Sequence, residues 1–233
     1  MKFAEQGMLF QENRKKYLLT VFLLVLAITL FVYGQTAGAR RKNLDYAASL
    51  EMTVVIVNGQ EMTLRDLAYY VAYEEALVQK QAWVYDPEHP SKYWNVHIDG
   101  NFVRTSAKKT AVQMAIHDEI FAQMAEKDNI ILTAEERSDA DRAGMFFWED
   151  LVEDEKAERL GIKECDMISM FERMALSQKY QSIYEQLQGK KSGAYNLEED
   201  AYQKLLKQQS FEICESVWKR IHFGNVTLSN ENK

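Results

Sequence analysis

The side chains of this chain that could do chemistry are few and scattered. His117-Asp118-Glu119 stands in a stretch of helical periodicity and sets an imidazole beside two carboxylates, the residue types of general acid/base work or of a metal site. No second cluster with ligand spacing accompanies it, so the expectation is a polar helix surface. Glu149 to Glu158, reading EDLVEDEKAE, could attract cations, yet it lacks the glycine and alternating oxygen ligands of a calcium loop. A solvated helix face is what it supports. Cys165 and Cys214, the only cysteines, form either one disulfide or two half-buried thiols, and the histidines at 89, 97, 117 and 222 show no zinc spacing to them. No serine, cysteine or threonine stands in a nucleophile motif and no glycine-rich phosphate loop is present. Neither catalytic residue, metal, cofactor nor nucleotide is expected.

Contact chemistry is better represented. Beyond the first forty residues lie Met52, Met62, Met114, Met124, Met145, Met167, Met170 and Met174, and thioethers repack readily against differing partners. Tyr69, Tyr73, Trp83, Tyr93, Trp94, Phe146, Phe147 and Trp148 exceed what two helix faces need for burial. With Met170 and Met174 they form the candidate peptide-binding set, a groove being the reading weighed against an ordinary helical core.

The elements that must position these residues follow from periodicity. Val54 to Val57 is a β-branched run suited to a strand, and Asn58-Gly59 readily takes the positive φ of a tight turn. The spacing predicts a helix from Thr63, with Asp66 completing an approximate capping box, and that helix reaches Tyr85. Leu64, Leu67, Val71 and Val78 make one apolar stripe; Tyr69, Tyr73, Ala76 and Trp83 make a second, so the helix is wrapped on both sides or borders a groove. Residues 86–100 hold both prolines and read as a loop. Further helices are predicted over 102–129, from the capping box Thr133-Ala-Glu-Glu136 toward Arg159, over 162–187 and over 196–208. Phe211-Glu-Ile-Cys214 alternates like a half-buried strand and is expected to pair with Val54 to Val57.

Length and charge bound the rest. At 233 residues with 47% hydrophobic side chains the chain can build a sizeable core, and its formal net charge of −7 argues against a nucleic-acid partner. Residues 1–16 form a leader ending in Asn-Arg-Lys-Lys, and Tyr17 to Tyr33 is an uncharged run. As a helix that run spans ~25 Å at ~1.5 Å per residue. The expectation is a transmembrane anchor or signal segment over 17–34, a linker over 35–51, a helical domain over 52–228 and a tail over 229–233. Ala37-Gly38-Ala39 looks like a cleavage site, but the run exceeds a signal-peptide core of about 7 to 15 residues, which favours an uncleaved, single-pass anchor with the domain outside the cytoplasm. Cleavage would make the domain secreted.

A strand ending in Val57-Asn58-Gly59-Gln60, followed by Met62-Thr63-Leu64-Arg65-Asp66-Leu67, resembles the opening of the SurA-type and PrsA-type foldase chaperones. Phe121-Ala-Gln-Met-Ala-Glu-Lys-Asp-Asn-Ile130, then Leu132-Thr133-Ala134-Glu135-Glu136, and Leu160-Gly161-Ile162 opening the next long helix, are similar to their later segments. The resemblance covers about residues 52 to 188 plus 211 to 214. It implies a mostly α fold, an N-terminal transmembrane helix followed by a SurA-N-like helical domain with a small two-stranded β pairing of its N- and C-terminal segments. Family members often carry a parvulin-type isomerase domain near the position of Gly189 to Ala194, where this chain has no room for one, so peptidyl-prolyl isomerase activity is not expected. The functional expectation is a membrane-anchored, extracytoplasmic chaperone-like protein holding extended or unfolded secreted polypeptides. The alternative is a dedicated interaction subunit of a membrane complex with one fixed partner.

Overall fold

The computed structural model describes Val25, Leu26 and residues 43–228. The chain divides into two units, 1–43 and 44–233, and everything below concerns the second. Its first ordered contacts come from the end of the expected linker. Leu44 donates its amide to the Arg220 carbonyl at 2.8 Å, and Tyr46 and Leu50 are buried around a short 3-10 turn, Ala47–Ser49.

Strand β1 (Thr53–Val57) is buried from both sides, with Val54, Val55 and Val57 wholly inaccessible. β-branched side chains fill such a doubly covered position well. Asn58 and Gly59, with φ of 50° and 88°, then reverse the chain in two residues. Such a turn matches the twist of a hairpin, and β2 (Gln60–Thr63) accordingly returns antiparallel, with Val57 opposite Gln60 and Val55 opposite Met62. β5 (Phe211–Ile213) lies against the other edge of β1, with Val55 opposite Ile213 and Val57 opposite Phe211. The sheet therefore has three strands in the order β2-β1-β5 instead of two. The helix expected at Thr63 begins later, because residues 60–63 are taken by the hairpin. Asp66 accepts from the amide and hydroxyl of Thr63 at 2.7 and 2.9 Å, which shapes the turn into α1 (Ala68–Tyr85).

Four long helices follow, α1, α2 (Val103–Lys127), α3 (Ala134–Glu153) and α5 (Glu164–Leu187), with the single turn α4 (Ala157–Leu160) between the last two; α2 packs against β1 and α5 lies between α2 and α3. α3 starts on the full capping box foreseen for it: Thr133 accepts from the Glu136 amide at 3.2 Å and Glu136 accepts from the Thr133 amide at 2.7 Å. It ends short of Arg159, at a Glu155 of positive φ. The loop after α1 carries a 3-10 segment, Pro90–Asn95, and a tight hairpin of β3 (His97–Ile98) and β4 (Asn101–Phe102). α6 (Asp200–Leu206), starting four residues after Asn196, precedes β5, and α7 (Glu215–Trp218) follows it.

The segment after α7 is pinned to α1 by a buried carboxylate. Glu75 accepts from the amides of Gly224, Val226 and Thr227 at 2.6, 3.1 and 2.6 Å and from the Thr227 hydroxyl at 2.6 Å. Burial raises its pKa, and those four donors work against the rise. Gly224, at φ 90°, is where the Trp94 ring fits: a Cβ there would stand 2.7 Å from the indole.

The membrane-anchored architecture and the single-pass localisation need correction. Apart from Val25 and Leu26, the expected span over 17–34 and the leader before it lie outside the described residues. Among the described residues no helix is long and apolar enough to cross a membrane. α1, 18 residues long, carries Glu74, Glu75 and Lys80, and the longer helices are interrupted by charge more often still. The two cysteines are free thiols, Cys165 exposed and Cys214 part-buried.

Candidate functional site

Two sites meet along α5, one aromatic and one polar. The aromatic one is built where α1, α3 and α5 converge. Tyr69 stands with its ring centroid 5.7 Å from Tyr73, 5.1 Å from Phe147 and 5.1 Å from Phe171, and Phe147 and Phe171 are 5.7 Å apart. The contacts run from stacked to edge-to-face, the arrangements that ring quadrupoles favour. Burial comes first among the causes that push the Tyr69 hydroxyl up to about 12, followed by the charges of Tyr73, Asp118 and Glu74. Tyr73, by contrast, is 36% exposed. Tyr69 and Phe171 open onto a cavity of about 590 Å³ whose lining includes Leu132 and Met174, with Glu136 and Lys179 at the rim in an ion pair of 2.6 Å.

The polar site is a cleft of about 740 Å³ between the β1–β2 hairpin, α2 and the first half of α5. Six carboxylates line it (Glu61, Asp66, Asp118, Glu119, Glu126 and Asp166) against two guanidiniums, Arg65 and Arg173. Arg173 holds Glu119 bidentately at 2.6 and 2.8 Å and reaches Glu126 at 2.8 Å. Burial would lower the Arg173 pKa, but those two carboxylates raise it overall. Arg65 spans Asp166 at 2.9 Å and Glu51. Asp118 accepts from Tyr70 at 2.9 Å and from Ser177 at 3.2 Å. Gln123 ties the wall to the hairpin, donating to the Val57 carbonyl at 3.0 Å and accepting from Asn58 at 3.0 Å.

His117 and Glu119 are not surface groups. Both are buried, and His117 lies between Asp118 at 3.1 Å and the Tyr195 carbonyl at 3.0 Å. Among the described residues no group of three or more His, Cys, Asp or Glu side chains could hold a metal ion. The acidic run from Glu149 is largely exposed around a buried Leu151.

Of the ten residues expected to form a groove, the structure joins Tyr69, Tyr73 and Phe147 in one ring cluster and sets Met174 on the adjoining cavity. Met170 lines the polar cleft instead. Trp94 belongs to the core, fully buried with its indole N–H donating to Gln79 at 3.3 Å. Trp148 packs part-buried against that core. Tyr93 leans on Tyr85 at 5.2 Å and donates to Gln81 at 3.3 Å, away from the cluster. Trp83 and Phe146 are more than half exposed and outside the ring contacts. Phe171, legible in the sequence as a buried or groove position of its helix but outside those ten, completes the ring cluster, and the polar cleft was missed. The signal for the cleft was a helix stripe that mixes charge with apolar residues: Asp166, Met170, Arg173, Ser177 and Tyr180 recur on one face of α5. Comparison of the chain with protein families, with curated proteins and with solved structures gives no match.

Proposed function

We propose that this chain is a polypeptide-binding module of chaperone-like character, shielding extended apolar stretches of unfolded proteins by binding alone. The observation that carries the reading is the aromatic shelf, four rings from three helices with Tyr73 open to solvent and Tyr69 and Phe171 facing a cavity of about 590 Å³. Ring faces accept any apolar side chain, since the contact is made by area and not by a fixed set of hydrogen bonds. Met174 beside them can repack to suit different side chains. The lining sets these apolar side chains beside the Glu136–Lys179 ion pair, Asp139, Gln178 and Ser182, and protein-binding surfaces likewise combine apolar area with polar groups. The motif resemblance to the SurA and PrsA foldases agrees with this reading.

The test uses the purified full chain, titrated with a fluorophore-labelled apolar peptide and assayed for slowing the aggregation of reduced insulin. Saturable binding and slower light scattering are expected. Tyr73→Ala should weaken peptide binding by about five- to tenfold, the ~1 to 1.4 kcal/mol of a lost aromatic contact, with a fall of only a few degrees in the melting temperature from the lost stacking on Tyr69. Trp83→Ala, on the same helix but outside the cluster, should leave affinity unchanged. A chain that neither binds the peptide nor slows aggregation overturns the reading.

A further inference from the structure

Of the two edge strands of the sheet, β2 borders the polar cleft. Asn58 donates its amide to the Ser210 carbonyl at 2.7 Å and Cys214 donates to the Val54 carbonyl at 2.7 Å, so the even-numbered residues around β1 bond toward β5. Val57 and Val55, opposite Gln60 and Met62, bond toward β2. Alternation along β2 then turns the amide and carbonyl of Glu61 away from β1, and no hydrogen bond among the described residues takes up either group. Gln60, Glu61 and Met62 line the cleft directly. Of the carboxylates around it, Glu61, Asp66 and Asp118 form no ion pair with a lysine or arginine of the described chain; their partners are Thr53, Thr63, Tyr70, Ser177 and His117.

We infer that this cleft binds the backbone of an extended, lysine- or arginine-bearing peptide segment, which adds as a fourth strand to β2. The inference rests on the polypeptide-binding reading and extends it: the aromatic shelf takes apolar side chains, and the β2 edge takes main chain flanked by positive charge. Strand addition obtains affinity from main-chain hydrogen bonds and specificity from the side chains alternating on either side. Here the alternating side chains meet unneutralised carboxylates, so a basic segment is favoured and an acidic one is repelled. A volume of about 740 Å³ lies within the ~300 to 1,000 Å³ of ligand sites.

The probe is a short labelled peptide of alternating lysine and valine, titrated into the full chain by fluorescence anisotropy. Two N-methylated versions are compared, one methylated at every lysine and one at every valine. Strand addition predicts that one pattern loses about tenfold or more while the other stays close to the parent, because alternate amides point to opposite edges. Replacing lysine by glutamate should also cost about tenfold or more. Glu61→Pro removes the outward amide at a position where an edge strand tolerates proline, and should weaken binding more than Glu61→Gln does. Should Glu61→Pro fail to fold, the peptide arms decide alone. Equal responses to both methylation patterns overturn the inference, and so does self-association of the chain that Glu61→Pro abolishes, since a second copy would then occupy the edge. If the apolar peptide binds while the lysine–valine peptide shows neither effect, only the inference falls; if no peptide binds, the underlying reading falls with it.

Discussion

Lys108 shows how one side chain can set a pH dependence for the whole fold. Its ammonium donates to the Ile221 carbonyl at 2.7 Å and lies 5.7 Å from the centroid of the Trp218 ring. Burial lowers its pKa from 10.5 to about 8, against the opposing pull of Glu215. The folded value lies below the unfolded one, so between those limits the unfolded chain binds more protons and stability rises with pH. The contribution is complete above about 10.5 and is lost as pH falls through about 8. Lys108→Met should flatten this part of the curve in denaturant titrations stepped across that range. Glu75 is the opposite case, a carboxylate whose oxygens serve four donors. Glu75→Ala strands those donors and should cost at least about 3 kcal/mol in equilibrium unfolding, with Glu75→Gln costing less because one acceptor oxygen survives. Neither Glu75 nor His117 was legible as a buried group. The partners that satisfy them, at Gly224 to Thr227 and at Tyr195, lie some 78 to 152 residues away in sequence, and a local pattern carries no trace of such pairing.

At the level of elements, the signals that are purely local were the readable ones. The capping box of Thr133 and Glu136, which needs only four consecutive residues, forms as expected. Thr133→Ala should cost ~1 kcal/mol in thermal or chemical unfolding, read from the midpoint at an unchanged m-value. The hairpin was misread for an instructive reason. Asn58-Gly59 correctly marked a tight turn, but a two-residue turn after a strand commits the next residues to pairing, and Thr63 could not both close β2 and open a helix. The first apolar stripe, Leu64 and Leu67 in the turn before α1 with Val71 and Val78 on it, is core, whereas the second passes from a nearly buried Tyr69 to an exposed Trp83. Periodicity identified the stripe; the packing of the other elements decides how much of it stays uncovered.

Across the whole unit, Trp94 ties together parts that are remote in the chain. It sits on the loop after α1, bonds to Gln79 on that helix and receives Gly224 of the closing segment against its ring. Trp94→Ala opens a cavity shared by all three and should destabilise the fold by ~3 to 5 kcal/mol, measurable as a large drop in the denaturation midpoint. An aromatic count could show that the chain holds more rings than helix faces need, but not which ring becomes the keystone and which the shelf. That allocation depends on where the C-terminal segment returns, a property of the assembled unit.

The middle position of β1 bears on how the protein is made. Val55 meets Met62 almost at once but waits for Ile213, and at a synthesis rate of about 5 to 20 residues per second that delay is roughly 8 to 30 seconds. Throughout translation of the intervening helices, one side of a β-branched strand has its hydrogen-bonding groups without their native partner. A nascent chain in that state is a template for pairing with neighbours on the same polysome. The vulnerable interval ends only when the ribosome has delivered the last strand.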